Sequence, residues 1–363
     1  MRKTQVALAA LALVASTAAL ADGVTVYGSV DTSVAKQSGG KMGFDGSGNW
    51  NGSVFGFKGS EDLDNGMKAT FQLELGLNLG TGGQDNGGTS TSSATTDAAG
   101  VASTTSFSST NNFFNRLSNV GLEGSFGSVK LGQQLSPFIA AALNGVANNN
   151  ESFYVPLLIL AGNRTAEMFG AGGPASGGVS TGGFFIPNAI SYTTPNINGL
   201  NATVLKQIDA GTATNKFHAY NATYSAGDVS VAAGYQSREA DYTGTTLTAA
   251  YQMGDIRFAG GYHSYKAVGS TSVVTTNVGA SYAITDSLKA SLQLAQNDVA
   301  AAGKITNIGL QYSLSKRTHA YVTASSASNG AAALYSQRGT GVAAVTSTAG
   351  NTTGYAVGVY HTF

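Results

Sequence analysis

The chain has 363 residues, of which only 10% are Asp, Glu, Lys or Arg, against about 25% in ordinary soluble proteins. Its 49 glycines come with only 5 prolines and no cysteine, which excludes a collagen-like repeat, a disulfide scaffold and a cysteine-ligated metal site. Nineteen basic residues balance nineteen acidic ones, so the chain lacks the electrostatic footprint of a nucleic-acid binder, and no nucleic-acid partner is expected.

Residues 1–21 read as a secretory signal peptide. Arg2 and Lys3 supply the positive start, Val6 to Val14 the apolar stretch, and Ala19-Leu20-Ala21 a small-residue cleavage site. A buried N-terminal helix is the less fitting reading, because so short an apolar stretch with a small-x-small end is seldom a core element. The mature chain is expected to begin at Asp22 and to form a single domain over 22–363. Beyond the leader the longest apolar run is Val155 to Ala161, far short of the roughly 20 residues a helix needs to cross a bilayer. Strands must carry any membrane crossing.

From Val24 onward the chain is a succession of short alternating runs. Val24, Val26, Val30 and Val34 share one face, while Thr25, Tyr27, Ser29, Asp31 and Ser33 share the other. Met67, Ala69, Phe71, Leu73, Leu75 and Leu77 likewise oppose Lys68, Thr70, Gln72 and Glu74. The pattern returns in Val229, Val231, Ala233 and Tyr235 against Ser230, Gln236 and Arg238, and in Leu288 to Leu294. Seven connections look like tight turns: Asp62 to Gly66, Ser125 to Ser128, Pro195 to Gly199, Ala226 to Asp228, Met253 to Asp255, Ile284 to Ser287 and Leu314 to Arg317. The connections between them are expected to be mostly long, as in the polar, small-residue stretches Gly80 to Asn112, Ser136 to Pro187 and Ser328 to Asn351.

Counting segments predicts about sixteen strands, and alternating long and short connections predict an antiparallel up-and-down meander with tight turns at one rim and loops at the other. In hydrocarbon every backbone N–H and C=O needs a partner, which a strand protein achieves by closing on itself. The fold class is therefore all-β, a transmembrane β-barrel whose lipid side is apolar and whose inner side is wet. A secreted β-sandwich or β-helix would alternate too, but its solvated faces would carry dense charge rather than Ser, Thr, Asn, Gln and Gly. Tyr235, Tyr251, Tyr262, Tyr282 and Tyr312 near strand ends suit an interfacial aromatic girdle.

Several stretches resemble one family. Val24-Thr-Val-Tyr-Gly-Ser-Val-Asp31, Phe55-Gly-Phe-Lys-Gly-Ser-Glu-Asp-Leu63, Phe71-Gln-Leu-Glu74, Phe114-Asn-Arg116 with Val120-Gly-Leu122, Tyr312-Ser-Leu-Ser-Lys-Arg317 and His361-Thr-Phe363 are similar to the general porins of β-proteobacteria, including the neisserial group. The resemblance spans the mature chain. It implies a homotrimer of sixteen-stranded outer-membrane barrels, each with its third long loop folded inward as a constriction, and a terminal Phe363 of the kind that outer-membrane assembly machinery reads. It also implies two departures: Val54 and Gln133 stand where the family often carries arginines of a basic constriction cluster, while Arg116 is retained. Strong anion preference is therefore not expected.

Assigning faces by parity gives lumen candidates Asp31, Lys58, Lys68, Glu74, Glu123, Lys130, Arg238, Arg257 and Lys289, six basic and three acidic. Parity points Arg116 and Gln133 toward lipid unless a bulge intervenes. Within the long third loop, Glu151 and Glu167 against Arg164 set an acidic loop opposite a basic wall. Ser136 before Pro137 fits an N-cap and first helical position, with a short helix over Phe138 to Leu143. The apolar stretch Tyr154 to Leu160 is expected to pack on the wall or on a neighbouring subunit.

These features together predict an outer-membrane channel of a Gram-negative bacterium, passing small hydrophilic solutes and ions by passive diffusion with weak ion selectivity. Its expected surroundings are outer-membrane lipid and lipopolysaccharide, and no cofactor or metal is called for. A non-conducting barrel acting as adhesin or receptor is the alternative. Catalysis has little support, since His218, His263, His319 and His361 are scattered without metal-ligand spacing or a Ser/Asp arrangement.

Overall fold

The computed structural model describes residues 23–38, 40–46, 48–84, 92–96, 102–106, 113–148, 183–208, 216–239, 242–269, 271–298, 304–327 and 352–363. The leader, Glu151, Arg164, Glu167 and the stretch Tyr154 to Leu160 lie outside the described residues. One 18-stranded sheet contains two short ribbons, Gly43–Asp45 and Gly83–Gln84, which leaves sixteen long strands. In chain order these are β1 (Thr25–Gln37), β2 (Val54–Asp62), β3 (Lys68–Asn78), β4 (Leu117–Gly124) and β5 (Gly127–Leu135). They continue as β6 (Phe185–Thr193), β7 (Leu200–Gln207), β8 (Phe217–Ala226), β9 (Val229–Arg238), β10 (Tyr242–Met253) and β11 (Ile256–Ala267). The last five are β12 (Val273–Ala283), β13 (Leu288–Asn297), β14 (Lys304–Ser313), β15 (Thr318–Ala327) and β16 (Thr352–Thr362). Each pairs antiparallel with the next, and β16 pairs with β1 from Ser29↔Thr362 to Gln37↔Gly354, so the sheet closes without an edge.

The barrel is inverted relative to a soluble protein. Val26, Val34, Leu131, Val204, Leu247, Val278, Ile308 and Val357 are exposed, while Gln236, Gln293, Asn307, Thr248 and Ser281 are buried. A water-soluble sheet places these classes the other way round, whereas hydrocarbon outside and polar contacts inside require this arrangement. Tyr224, Tyr251, Tyr282 and Tyr312 are exposed near the turn rim, where amphipathic rings suit a membrane boundary.

All seven predicted tight turns join neighbouring strands at a single rim. The other rim departs from the expected alternation, because the connections 239–241, 268–272 and 298–303 are also short. An antiparallel pair closes through a tight turn at either end, so closure of the barrel does not demand long loops. Phe363 sits at the turn rim, where its backbone exchanges hydrogen bonds with Gly28 (3.1 and 3.2 Å) and its ring lies 6.4 Å from Phe55. A Cβ on Gly28 would fall 2.5 Å from that ring, so only glycine admits this contact.

A short helix, α1 (Pro137–Leu143), follows β5 with proline in its first turn, as its sequence predicts. Ser136 does not act as a side-chain cap. Its hydroxyl donates instead to Gln236 Oε1 on the barrel wall (2.9 Å), because the helix lies flat against that wall rather than free in solvent.

Candidate functional site

The lumen is shaped by two inward segments fixed to different parts of the wall. After β5 the chain crosses the inner faces of β9 to β13. Thr248 Oγ1 donates to Ala141 O (2.8 Å), Asn277 Nδ2 to Gly145 O (2.7 Å), Ser281 Oγ to Ala147 O (2.9 Å), and Asn148 Nδ2 to Ser291 Oγ (2.9 Å). The first three of these bonds satisfy carbonyls that a short helix and the turns after it leave open, and the fourth ties the Asn148 amide to the wall. Glycines make the seat: a Cβ on Gly234 would stand 3.0 Å from Ala141 Cβ, and one on Gly145 would stand 3.0 Å from Gly260 O. Phe138, Ile139 and Ala142 turn away from water into an apolar cluster with Phe184, Phe185, Ile186, Leu205, Phe217, Tyr242 and Tyr265. His263, on β11 behind this segment, is clamped between Thr246 Oγ1 and Asn277 Oδ1, both at 2.7 Å. That placement gives it a structural role.

The second inward segment was not foreseen. Residues 48–53, between β1 and β2, fold over the inner faces of β14, β15, β16 and β1. Trp50, the only tryptophan in the chain, is 1% exposed and stacks on Tyr321 at 5.1 Å. Its ring rests on Gly309, where a Cβ would come within 2.8 Å. Asp31 is the fastener: one carboxylate oxygen accepts from the Trp50 N–H (2.8 Å) and the Asn51 N–H (2.6 Å), and the other accepts from the Tyr321 hydroxyl (2.6 Å). A lone tryptophan in a Gly/Asn-rich stretch was the available signal, since so large a ring is buried when it can be.

With β9 to β16 and β1 carrying the inward segments, the inner faces of β2 to β5 remain as the charged wall. Lys58 is exposed inside the barrel and lies 5.1 Å above the Tyr27 ring. Tyr27 accepts from Gln72 Nε2 (2.8 Å) and donates to Glu74 Oε2 (2.9 Å). Arg116 Nε meets Glu74 Oε1 at 2.6 Å, and its guanidinium covers the Phe185 ring at 4.8 Å. Arg116 is thus held and largely neutralised, while Lys58 makes no ion pair among the described residues. Toward the turn rim, Lys130 approaches Glu123 at 3.6 Å and Lys68 pairs with Asp62 at 2.9 Å. A cavity of about 290 Å³ opens among Lys58, Gln72, Asn119 and Lys130.

Arg116 reaches the lumen because it lies just before β4, outside the strand, where alternation does not bind it, and its N–H donates to Glu74 O (3.1 Å). On the neighbouring pair, Gly132 adopts φ +120°, Asn188 φ +51°, and the β5–β6 register shifts between Ile186 and Ala189. Gln133 then donates to the carbonyls of Asn115 (2.6 Å) and Arg116 (3.2 Å), holding the arginine's backbone.

Two lumen candidates, Asp31 and Arg238, sit on the inward face without meeting the open channel, and a third, Arg257, is half-buried against the inward segment. Asp31 is buried under the Trp50 segment. Arg238 is 4% exposed and lies over Phe217 at 5.3 Å, beside the apolar cluster. Arg257 reaches Asn144 O at 3.4 Å, which ties it to the inward segment. Side-chain parity sets which way each points, but the loops folding over them decide whether water reaches them. Lys289 faces inward on β13 and is half-buried.

A family model described as Gram-negative porin matches residues 7–332. The chain is 33% identical over 208 residues to outer membrane porin protein 32 of Delftia acidovorans, covering 56% of this chain and 48% of that protein. It is 31% identical over 175 residues to the major outer membrane protein P.IB of Neisseria gonorrhoeae, covering 46% and 42%. The match thus spans about half the length of these curated relatives. Among solved structures, an anion-selective porin from Comamonas acidovorans aligns with a TM-score of 0.69 at 26% identity, over 94% of this chain and all of that one. An outer membrane protein of Vibrio cholerae shares the fold at a TM-score of 0.61 and 13% identity, over 96% and 99%.

Proposed function

This chain belongs to the Gram-negative porins, and on that premise we propose that it is an outer-membrane channel for passive diffusion of small hydrophilic solutes and ions, assembled as a homotrimer. The observation that carries the reading is Lys58: a charged side chain exposed on the inner face of a closed barrel marks a wall that water reaches. The two inward segments narrow the lumen from one side, and the Tyr27, Glu74 and Arg116 network stiffens the side opposite. Solutes pass between them down their gradient, and no bond is made or broken.

Selectivity is weak in this reading, because Arg116 and Lys130 face carboxylates while Lys58 does not. Its sign is mildly anionic. Planar-bilayer recording of the detergent-purified protein tests the channel, with stepwise insertions in multiples of three testing the trimer. A lumen that passes no current overturns the reading in favour of a receptor barrel.

Lys58→Ala is expected to move the reversal potential in a salt gradient toward cation preference, by about two- to fivefold in permeability ratio. That corresponds to about 0.4–1 kcal/mol, the Coulomb energy of one charge at about 4–8 Å in water. An unchanged reversal potential would place the selective region elsewhere.

Phe363 serves the assembly machinery as well as the barrel. Phe363→Ala is expected to reduce the amount of barrel inserted in cells several-fold, while the same variant refolds into detergent with a stability loss of only about 1 kcal/mol for a half-exposed ring. Equal losses in both settings would reduce its role to packing.

A further inference from the structure

The two inward segments meet on one line of the inner wall. Cross-strand register aligns Ser281, Ser291, Gly309, Thr323 and Ala356 on β12 to β16, all of inward parity and none larger than threonine. At the 4.7–4.9 Å spacing of neighbouring strands the line is about 19 Å long. It forms a shallow trough in a wall otherwise lined by Gln293, Asn307, Gln311 and Tyr321.

The third-loop segment enters this trough from the β12 side. Ser281 Oγ donates to Ala147 O (2.9 Å), and Asn148 Nδ2 donates to Ser291 Oγ (2.9 Å). Trp50 enters from the β15 side, its ring stacked on Tyr321 and resting on Gly309. Ser291 and Gly309 face each other directly across β13 and β14. A Cβ on Gly309 would stand 2.8 Å from Trp50 Cη2, 2.8 Å from Trp50 Cζ3 and 2.8 Å from Ser291 Oγ. Ring and hydroxyl therefore close around a space that does not hold a methyl group, and the ends of two segments from distant parts of the chain abut there.

Little else fastens the joint. Asn148 is buried, yet its Oδ1 has no hydrogen-bond partner among the described residues. Neither do the amide nitrogen and oxygen of Gln293, the next inward residue on β13. The Asn148 side chain thus keeps its place at the wall through one hydrogen bond and through the exclusion of water from around it. Such a bond is strong where the setting is dry, and weak where solvent competes for its donor and acceptor. On the other side of Ser291, the group that keeps water away is the Trp50 ring.

We infer that Trp50 and Asn148 lock across Ser291 and Gly309, joining the two inward segments into one plate, and that Trp50 is a positioning residue for the third-loop segment. On the channel reading above, the opening is then set by the plate as a whole, and a change in either segment is felt by the other. Losing the indole lets water reach Ser291 and frees Asn148. Losing the Asn148 amide opens the edge of the ring.

Trp50 is the only tryptophan in the chain, so its fluorescence in the detergent-purified protein reads the lock directly. Asn148→Ala is expected to raise acrylamide quenching of Trp50 about twofold, because a ring that is 1% exposed gains a water-facing edge. Ser291→Ala removes the same bond from the wall side and is expected to do the same, which keeps the test open should Asn148→Ala not fold. Leu292→Ala, facing lipid on the same strand, leaves quenching unchanged. Quenching at the wild-type level in Asn148→Ala and Ser291→Ala overturns the lock, as does an equal rise in Leu292→Ala. Planar-bilayer recording gives the second measure. Trp50→Leu and Asn148→Ala are each expected to raise single-channel conductance about 1.2- to 1.5-fold, and the double variant no further than the larger single effect, since the second change acts on a joint already open. Effects that multiply in the double variant mean two independent segments and overturn the lock. Gly309→Ala, whose added methyl displaces the ring, takes the place of Trp50→Leu in the same cycle should the latter fail to fold. A wild type that passes no current strikes the diffusion channel and leaves quenching to decide the lock.

Discussion

Asp31→Ala is expected to raise single-channel conductance and to lower stability in detergent by about 3 kcal/mol or more, at about 1–3 kcal/mol for each buried donor left without an acceptor. The carboxylate holds two backbone N–H groups of the Trp50 segment and the Tyr321 hydroxyl. Alanine leaves all three donors without an acceptor inside a wall that admits little water. The ends of the segment stay tied by Thr32 Oγ1 to Asp45 O (2.9 Å), Ser29 Oγ to Gly52 O (2.7 Å) and Ser53 Oγ to Asp31 O (2.9 Å), so what comes loose is the Trp50–Asn51 turn, left with the Asn49 amide on Ser33 Oγ (2.7 Å), the Asn51 amide on the Tyr360 hydroxyl (3.0 Å) and the Trp50 ring on Tyr321. Its release widens the lumen on the β14 to β1 side. Asp31→Asn keeps one acceptor oxygen and is expected to fall between the two. Unfolding monitored by Trp50 fluorescence and conductance from the same sample check both effects. An unchanged conductance with lowered stability would mean that this segment does not shape the path.

Gly234→Leu acts on the opposite inward segment and is expected to act in the opposite direction on conductance. The helix α1 lies so close that even a Cβ at 234 would stand 2.9 Å from Thr246 Cγ2 and 3.2 Å from the Phe138 backbone. A leucine cannot be accommodated without moving the helix into the lumen. Overpacking of this kind costs about 1–3 kcal/mol, and the Thr248 hydrogen bond to Ala141 O is lost with the displacement. Conductance is expected to fall by about half or more, since a helix pushed off the wall occupies part of the opening. Ala233→Leu, one residue away and facing lipid, serves as control and should change neither quantity measurably. If both variants conduct alike, α1 is not part of the constriction.

Much of the architecture was legible in the linear order of residues. Side chains alternate with a period of two, so the exposed Val26 and Val34 and the inward Ser29, Asp31 and Ser33 were sorted before any pairing was known. Gly, Asn and Asp at six of the seven tight turns mark strand ends because they admit backbone angles that other residues resist, as at Asn65, Gly227 and Gly254. Closure followed from physics rather than from any motif, since hydrocarbon tolerates no open sheet edge. Ser136-Pro137 likewise announced a helix, because proline suits a first helical position wherever that helix goes.

Alternation is a property of each strand alone, whereas register and loop path are relations between strands far apart in sequence. Parity therefore told which way Asp31 and Arg238 point, and could not tell that residues 48–53 would cover the first or that an apolar cluster would lie beside the second. Arg116 entered the lumen because it lies one residue before β4, where strand alternation no longer applies and Glu74 on β3 holds both its N–H and its guanidinium. The one-dimensional pattern determined a closed sheet with an oily outside and a polar inside, because period and hydrocarbon chemistry are local constraints. The folded chain decided which charges meet water, because that depends on what lies across the lumen from each of them.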